Sequence, residues 1–342
     1  MDLIIKPLEA CNFKCTFCSS TKIASTPYQK LDLSLVEQFL QRFPNTKNII
    51  VNGGEPLLMS PDYYWEIVNL IKKYAPTCKL SFTTNLWVFY KNPDNWIKLF
   101  KHPSVEVGTS FNYGDTRLIT SSEPLTDDIF INMIYHFEER IGYKPDFISV
   151  INDVNDDSAI LNVLLARQLN VVCKLNYAMC SGAQQTPYML AKIYEMYLRI
   201  YHMGLTQYEY NTQQFLQTMN QEHTTCPLSR SCDSHIRCLQ PDGDYYSCGS
   251  FGDDKKYSID FDKEMTSEHI DTPLSNDNRL FSLKDECLSC PMFNICNGCK
   301  KTIYDMKNMG NMFIENHCIR MKNVYDKFKN PFPTYINVIE VK

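Results

Sequence analysis

Twelve of the fifteen cysteines in this 342-residue chain fall into three groups: Cys11, Cys15 and Cys18; Cys226, Cys232, Cys238 and Cys248; and Cys287, Cys290, Cys296, Cys299 and Cys318. Close gaps of this kind are metal-ligand spacing, and an odd total fits disulfide pairing badly. The first group reads Cys11-Asn12-Phe13-Lys14-Cys15-Thr16-Phe17-Cys18, three thiols on one tight loop directly after a predicted strand. Three thiolates can hold three corners of a four-iron four-sulfur cluster and leave the fourth iron open to an outside ligand. A zinc site completed by one further ligand is the competing chemistry. A second motif, Asn52-Gly53-Gly54-Glu55-Pro56, closes the second predicted strand. Glycines there let backbone approach a ligand closely, and an acidic neighbour can receive an ammonium group. Taken alone, the same residues make an ordinary turn. Cys78, Cys173 and Cys180 are isolated, and a small buried hydrophobe is the ordinary reading of such a residue.

These motifs need a scaffold. From the N-terminus to about residue 180, short β-branched runs alternate with segments of helical period, which predicts a mostly parallel sheet. Six strands are expected, at 2-7, 48-52, 79-85, 104-111, 146-152 and 170-177, with helices near 34-43, 62-75, 94-101, 127-141 and 157-169. Asp62 and Asp127 stand at the expected N-cap positions. Six βα steps are too few for a closed eight-stranded barrel. The expectation is therefore an open, partial (β/α)6 TIM-type barrel, with ligands at the C-terminal ends of its strands. Residues 187-222 predict amphipathic helices carrying Leu190, Ile193, Tyr194, Tyr197, Leu198 and Tyr201 as a packing stripe. Beyond 223 the texture changes to turns, with Pro241-Asp242-Gly243-Asp244 between two short strands, and to cysteines with too little core to fold without metal. The expected layout is α/β: a barrel over 1-180, a helical linker over 181-222, a small cysteine-rich iron-sulfur domain over 223-320 and a tail over 321-342.

The net charge of -5 carries no basic surplus, which argues against nucleic acid as a partner. Apolar runs such as Asn48-Ile49-Ile50-Val51 are too short for a membrane span or a signal sequence, so a cytoplasmic protein with no membrane partner is expected.

The three-cysteine loop after the first strand, joined to Gly-Gly-Glu-Pro after the second, resembles the radical S-adenosylmethionine (SAM) enzymes. The resemblance implies that Cys11, Cys15 and Cys18 ligate a four-iron cluster whose open iron binds SAM, with Phe17 shielding it from solvent. It places Gly53, Gly54 and Glu55 beside the methionine amino group. Ser110 and Asn152 would contact the ribose or the methionine carboxylate, and Thr84 with Asn85 would form a further cofactor-lining pair. One electron then cleaves the sulfonium and gives a 5'-deoxyadenosyl radical that abstracts a substrate hydrogen. An external one-electron reductant such as a flavodoxin or ferredoxin is implied.

The C-terminal third resembles the SPASM extension, which carries two auxiliary four-iron clusters. Cys232, Gly243 and Cys248 match its first half, and Cys287-x2-Cys290-x5-Cys296-x2-Cys299 with Cys318 its second, with a final gap of two residues where the family usually has three. By that family's ligation, Cys226, Cys232, Cys248 and Cys299 would hold one cluster, and Cys287, Cys290, Cys296 and Cys318 the other. Cys238 is surplus and reads as structural, or replaces Cys226. A pair of zinc knuckles is the alternative. The implied function is a maturase acting on a peptide or protein, forming a carbon-carbon or thioether cross-link. Oxidation to formylglycine, dehydrogenation of a small alcohol and peptide epimerisation are alternatives, as is a non-enzymatic electron carrier. Against formylglycine stands Cys248-Gly249, where enzymes resembling sulfatase maturases have an Asp after the cysteine. The nearest acids are Asp253 and Asp254. Cys180, just past the sixth strand, is the candidate hydrogen donor for epimerisation. With Cys11 so early no N-terminal leader-recognition domain is expected, so a leader would need a separate leader-recognition protein, a direct barrel contact or no recognition element at all.

Overall fold

The computed structural model describes residues 1–20, 29–220, 235–256, 258–259, 261, 283–296 and 299–329. Cys226 and Cys232 lie outside the described residues.

All six expected strands form, each slightly shorter than the sequence suggests: β1 Asp2–Ile5, β2 Asn48–Val51, β3 Lys79–Thr83, β4 Val105–Ser110, β5 Phe147–Ile151 and β6 Cys173–Tyr177. They pair in parallel and in chain order. Alternation in β1 and β2 buries Leu3, Ile5, Ile49 and Val51 completely on one face. Each such side chain contributes roughly 1.5–3 kcal/mol on leaving water.

The expected helices also form: α1 Leu33–Arg42, α2 Pro61–Tyr74, then a short α3 Trp87–Lys91 that periodicity did not reveal, α4 Asp94–Phe100, α5 Asp127–Ile141 and α6 Ala159–Leu169. Aromatic rings join helices to sheet: Tyr64 of α2 meets Phe82 of β3 edge-on at 4.7 Å, and Phe130 of α5 stacks on Phe111 at 4.5 Å. Two caps differ from expectation. Helix α2 is preceded by Ser60, with Pro61 at its first position, and Asp62 lies inside the first turn. Thr126 caps α5 by accepting from the Ile129 N–H at 3.4 Å, which leaves Asp127 to accept from the Tyr113 hydroxyl at 3.1 Å. Both acids still favour the positive helix end.

The sheet continues past the barrel. Strand β7, Ile236–Leu239, pairs in parallel with β1, matching Ile4 to Cys238 and Ile5 to Leu239. The expected turn then folds it back onto β8, Tyr245–Tyr246, which pairs with β9, Ser258–Ile259. The nine strands thus run β6-β5-β4-β3-β2-β1-β7-β8-β9, and the start of the cysteine-rich region is built onto the barrel's own edge. Helix α7, Leu190–His202, and α8, Tyr210–Met219, follow β6. Tyr201, expected in the α7 packing stripe, is instead 40% exposed. Glu209 at the start of α8 is fully buried and closes the other edge of the sheet, its Oε1 accepting from the Leu175 N–H at 2.8 Å. An unpaired edge would otherwise be open to strand addition.

Helix α9, Gly249–Asp254, directly follows Cys248. The C-terminal helices are α10 Phe293–Cys296, α11 Lys300–Lys307 and α12 Asn311–Lys329. Helix α12 runs without a break across residue 320, where the tail was expected to begin. It is held to α7 by Arg320, whose Nε donates to Glu195 at 2.7 Å. Lys301 of α11 is 1% exposed, paired with Asp305 at 2.6 Å and Asp254 at 3.2 Å, and it donates to the Cys180 carbonyl at 3.1 Å.

Candidate active site

Backbone, not thiols, shapes the cysteine loop. Lys14 N–H donates to the Leu118 carbonyl at 2.8 Å and Thr16 N–H to the Thr116 carbonyl at 2.9 Å, so the loop is strapped to the segment after β4. The thiols of Cys11, Cys15 and Cys18 are left half-buried and close enough to perturb one another electrostatically. Burial pushes Cys11 up to about 12, and burial raises Cys15 as well, with the Arg117 guanidinium working against it. Buried thiols of this kind become thiolates when a metal supplies the compensating charge. Arg117 lies 3.9 Å from Cys15 Sγ, and its guanidinium sits over the Phe17 ring, 5.2 Å from the centroid. Phe17 itself is 7% exposed.

The Gly-Gly-Glu-Pro segment is sewn to the same loop. Gly54 N–H donates to the Leu8 carbonyl at 3.2 Å, and Glu55 N–H to the Ala10 carbonyl at 2.8 Å. A Cβ on Gly54 would stand 1.9 Å from the Ala10 oxygen, so only glycine permits this approach. From the other side, Ala183 N–H donates to the Cys18 carbonyl at 2.9 Å, and a Cβ on Gly182 would meet that oxygen at 2.3 Å. The loop is clamped between two glycines, one after β2 and one after β6.

Glu55 is 1% exposed, and its carboxylate accepts from Leu57 N–H at 2.9 Å, Asn85 N–H at 2.8 Å and the Thr84 hydroxyl. Burial raises its pKa, and these bonds act in the opposite direction. Asn85 in turn donates from Nδ2 to Asn12 Oδ1 at 2.7 Å. Thr84 and Asn85, expected as a cofactor-lining pair, hold Glu55 and the cysteine loop. Glu55→Gln puts an amide N–H where donors already converge. Leaving such a group unsatisfied costs about 1–3 kcal/mol, read as a lowered urea midpoint.

A cavity of about 390 Å³ opens at the C-terminal ends of the strands. Its walls include Phe17, Cys18, Gly53, Ser110 and Arg117 on the barrel side, Tyr177 from the end of β6, and Gly249, Ser250 and Asp253 of α9. Asp253 accepts from Ser20 Oγ at 3.0 Å and is paired with Lys6, which is 3% exposed and whose pKa burial lowers. The Tyr177 hydroxyl bonds Thr302 and lies within hydrogen-bonding influence of Cys299.

The described auxiliary cysteines separate into two places. Cys248 and Cys299 are near each other, and burial pushes Cys248 up to about 12. Cys287, Cys290, Cys296 and Cys318 line a single pocket under α12. Burial raises Cys296 well above the ordinary thiol value, and its three partners add to that rise. Among the described residues no three His, Cys, Asp or Glu side chains stand close enough to grip a single metal ion. A cubane takes its thiolates from corners farther apart. The donor sets suit such clusters in chemistry, and the four thiols of the second auxiliary set share one pocket.

Residues 5–161 match the model of the radical SAM superfamily. The chain carries a radical SAM domain. It is 22% identical to the cysteine-type anaerobic sulfatase-maturating enzyme of Clostridium novyi (strain NT), across 88% of each chain. It is also 22% identical to the serine-type enzyme of Klebsiella aerogenes, across 86% of this chain and 78% of that one. The structure of native anSMEcpe with bound AdoMet and Cp18Cys peptide superposes with a TM-score of 0.65 at 16% identity, covering 96% of this chain and 99% of the other. Streptococcus suis SuiB bound to its precursor peptide SuiA gives 0.60 at 18% identity, covering 87% and 71%. These likenesses establish the fold.

Within the radical SAM barrel, Gly53, Ser110, Phe17 and Cys18 meet in the cavity as expected. Asn152 is not in its lining. Its Nδ2 donates to Gln184 at 3.3 Å and its Oδ1 accepts from Val154 N–H at 3.0 Å, so it braces the turn after β5. Cys180 is likewise outside the lining, with its thiol on the Gln185 carbonyl at 3.2 Å. The expected hydrogen donor therefore has no geometric support. Cys238 is fully buried in β7, its Sγ 3.7 Å from Gln240 Nε2. Sequence reasoning missed Lys6, Arg117, Tyr177 and the cavity position of Asp253.

Among the described residues no helix is long and apolar enough to cross a membrane.

Proposed function

We propose that this enzyme is a peptide or protein maturase that removes two electrons from one residue of its substrate. The carrying observation is a shared cavity, lined both by Phe17 and Cys18 of the cysteine loop and by Gly249, Ser250 and Asp253 of the helix that follows Cys248. Cys11, Cys15 and Cys18 hold the SAM-binding cluster. Cys248 and Cys299, with Cys226 and Cys232, hold the first auxiliary cluster, and Cys287, Cys290, Cys296 and Cys318 the second. When bound, the first cluster and SAM supply a 5'-deoxyadenosyl radical that takes a hydrogen atom from the substrate, and the auxiliary clusters accept one electron. The rest falls to the chain. Phe17 and Arg117 exclude water from the cysteine loop, and Gly53 and Ser110 are placed to meet SAM. Tyr177 stands between the cavity and Cys299. A one-electron reductant, a flavodoxin or ferredoxin, and a separate leader-recognition protein complete the proposed partners.

The relatives support a peptide substrate, since the solved neighbours are described with bound peptides. Two outcomes share this chemistry. A cross-link forms when the substrate radical is captured by a neighbouring group. When a base takes the side-chain proton as the electron leaves, a Ser becomes an aldehyde directly, and a Cys becomes a thioaldehyde that water converts to the aldehyde with release of hydrogen sulfide. The missing acid after Cys248 counted against the second outcome, but Asp253 lines the cavity one helical turn further on and favours it.

The test incubates the reconstituted enzyme with reductant, SAM and peptides bearing Cys or Ser deuterated at the side-chain carbon. Deuterium in 5'-deoxyadenosine together with a peptide that has lost one deuterium and one proton, with sulfur also exchanged for oxygen where a Cys has become the aldehyde, supports the proposal, and an aldehyde reagent separates the outcomes. Cleavage of SAM with no deuterium transfer to any peptide counts against it. If Asp253 is the base, Asp253→Asn lowers aldehyde formation by on the order of 100-fold while 5'-deoxyadenosine still forms. Unchanged product formation removes Asp253 from the chemistry.

A further inference from the structure

The pocket of Cys287, Cys290, Cys296 and Cys318 contains one more metal-competent group. His317 precedes Cys318 on α12 and lines the same pocket. It is fully buried, and among the described residues neither Nδ1 nor Nε2 has a hydrogen-bond partner. The neighbouring walls are Leu283, Phe293, Ile303 and Met321, which offer no acceptor. The Glu286 carboxylate at the rim is taken by Lys322 at 3.3 Å. A buried imidazole without a partner is costly, and natural proteins rarely leave one. The polar chemistry this pocket shares with the ring is that of its four thiols.

Four thiols already satisfy the four irons of a cubane, so the imidazole is not needed as a ligand. We infer that His317 donates a hydrogen bond to a sulfur of the second auxiliary cluster and thereby sets its reduction potential. This rests on the reading that these four cysteines hold a cluster. A donor to sulfur stabilises the reduced form, which carries more negative charge, and so raises the potential. The second cluster would then be the better electron acceptor of the pair, drawing the substrate's electron away from the cavity. His317 is a positioning residue here and does not touch the substrate.

The experiment is a redox titration followed by electron paramagnetic resonance, on protein carrying Cys11→Ala, Cys15→Ala and Cys18→Ala so that only auxiliary clusters report. Iron per chain is measured on the same samples. In His317→Leu the iron content is expected to hold while one of the two auxiliary potentials moves negative and the other stays. His317→Gln, which keeps an N–H donor, is expected to restore most of the shift. Full iron with both potentials unmoved in His317→Leu overturns the inference. Loss of one cluster's iron in both variants also overturns it, because the ring would then be a ligand. Should only His317→Leu lose iron, labelling the histidine ring nitrogens in the His317-containing protein decides. Weak coupling through a hydrogen-bonded proton supports the inference, whereas direct iron-nitrogen coupling or no coupling overturns it. Absence of the second cluster before His317 is changed contradicts the underlying reading, which iron content alone reveals.

Discussion

Replacing Cys11, Cys15 and Cys18 together with alanine is expected to abolish 5'-deoxyadenosine formation, a loss on the order of a thousandfold or more, equivalent to about 4 kcal/mol of barrier. Among the described residues no other cysteine group is strapped between the ends of β1, β2 and β6, where the cavity opens. The fold should survive this change. The loop is held by main-chain bonds at Lys14, Thr16 and Ala183 and by the Asn85 to Asn12 bond, none of which uses a thiol. Thermal unfolding of the metal-free proteins should therefore differ little between the triple variant and the parent. Persistent SAM cleavage by the variant would mean that the radical is generated elsewhere.

Gly54→Ala is the second change with a large expected effect. Its new Cβ would meet the Ala10 carbonyl at 1.9 Å, and Ala10 immediately precedes Cys11. Backbone cannot yield there as a flexible side chain would. Relief requires moving β1's exit or the Gly-Gly-Glu-Pro turn, at a cost of about 3 kcal/mol or more. Either movement also shifts the spacing of the three thiols, so the variant should lose both stability and about one cluster's iron. Gly249→Ala provides the contrast. Nothing lies within 4 Å of that Cβ, and a helical alanine is stable within about 0.5 kcal/mol or slightly stabilising. Chemical denaturation of the two variants side by side checks the difference. Equal midpoints would show that the close approach at Gly54 is not enforced.

What the sequence revealed follows from how far each signal reaches along the chain. Strand runs such as Asn48-Ile49-Ile50-Val51 and the helical period of Val36, Phe39 and Leu40 are local, and both elements form. Cysteine spacing is local too, but it grouped Cys299 with Cys287, Cys290, Cys296 and Cys318; that Cys299 stands by Cys248 while the other four share a pocket is what the family resemblance implied and spacing did not. Pairing partners are not local. That Cys238 and Leu239 extend the barrel sheet beside β1 depends on an edge that no nearby residue announces. The same pairing brings α9 over the cavity, so Lys6 and Asp253 meet across 247 positions of sequence. Arg117 belongs to no motif, and its place over Phe17 is set by the strap at Thr116 and Leu118. Thr84, Asn85 and Asn152 show what a local signal leaves open. Polar residues at strand ends suit ligand binding and turn bracing equally well, and only their hydrogen bonds distinguish the two.

The most direct test of the central account is iron and acid-labile sulfide per chain after anaerobic reconstitution, with zinc measured alongside. Three cysteine-ligated cubanes predict about twelve irons and about twelve sulfides per chain. Stoichiometric zinc with little iron would contradict the account, since neither a radical source at Cys11, Cys15 and Cys18 nor an electron acceptor beyond Cys248 would then exist.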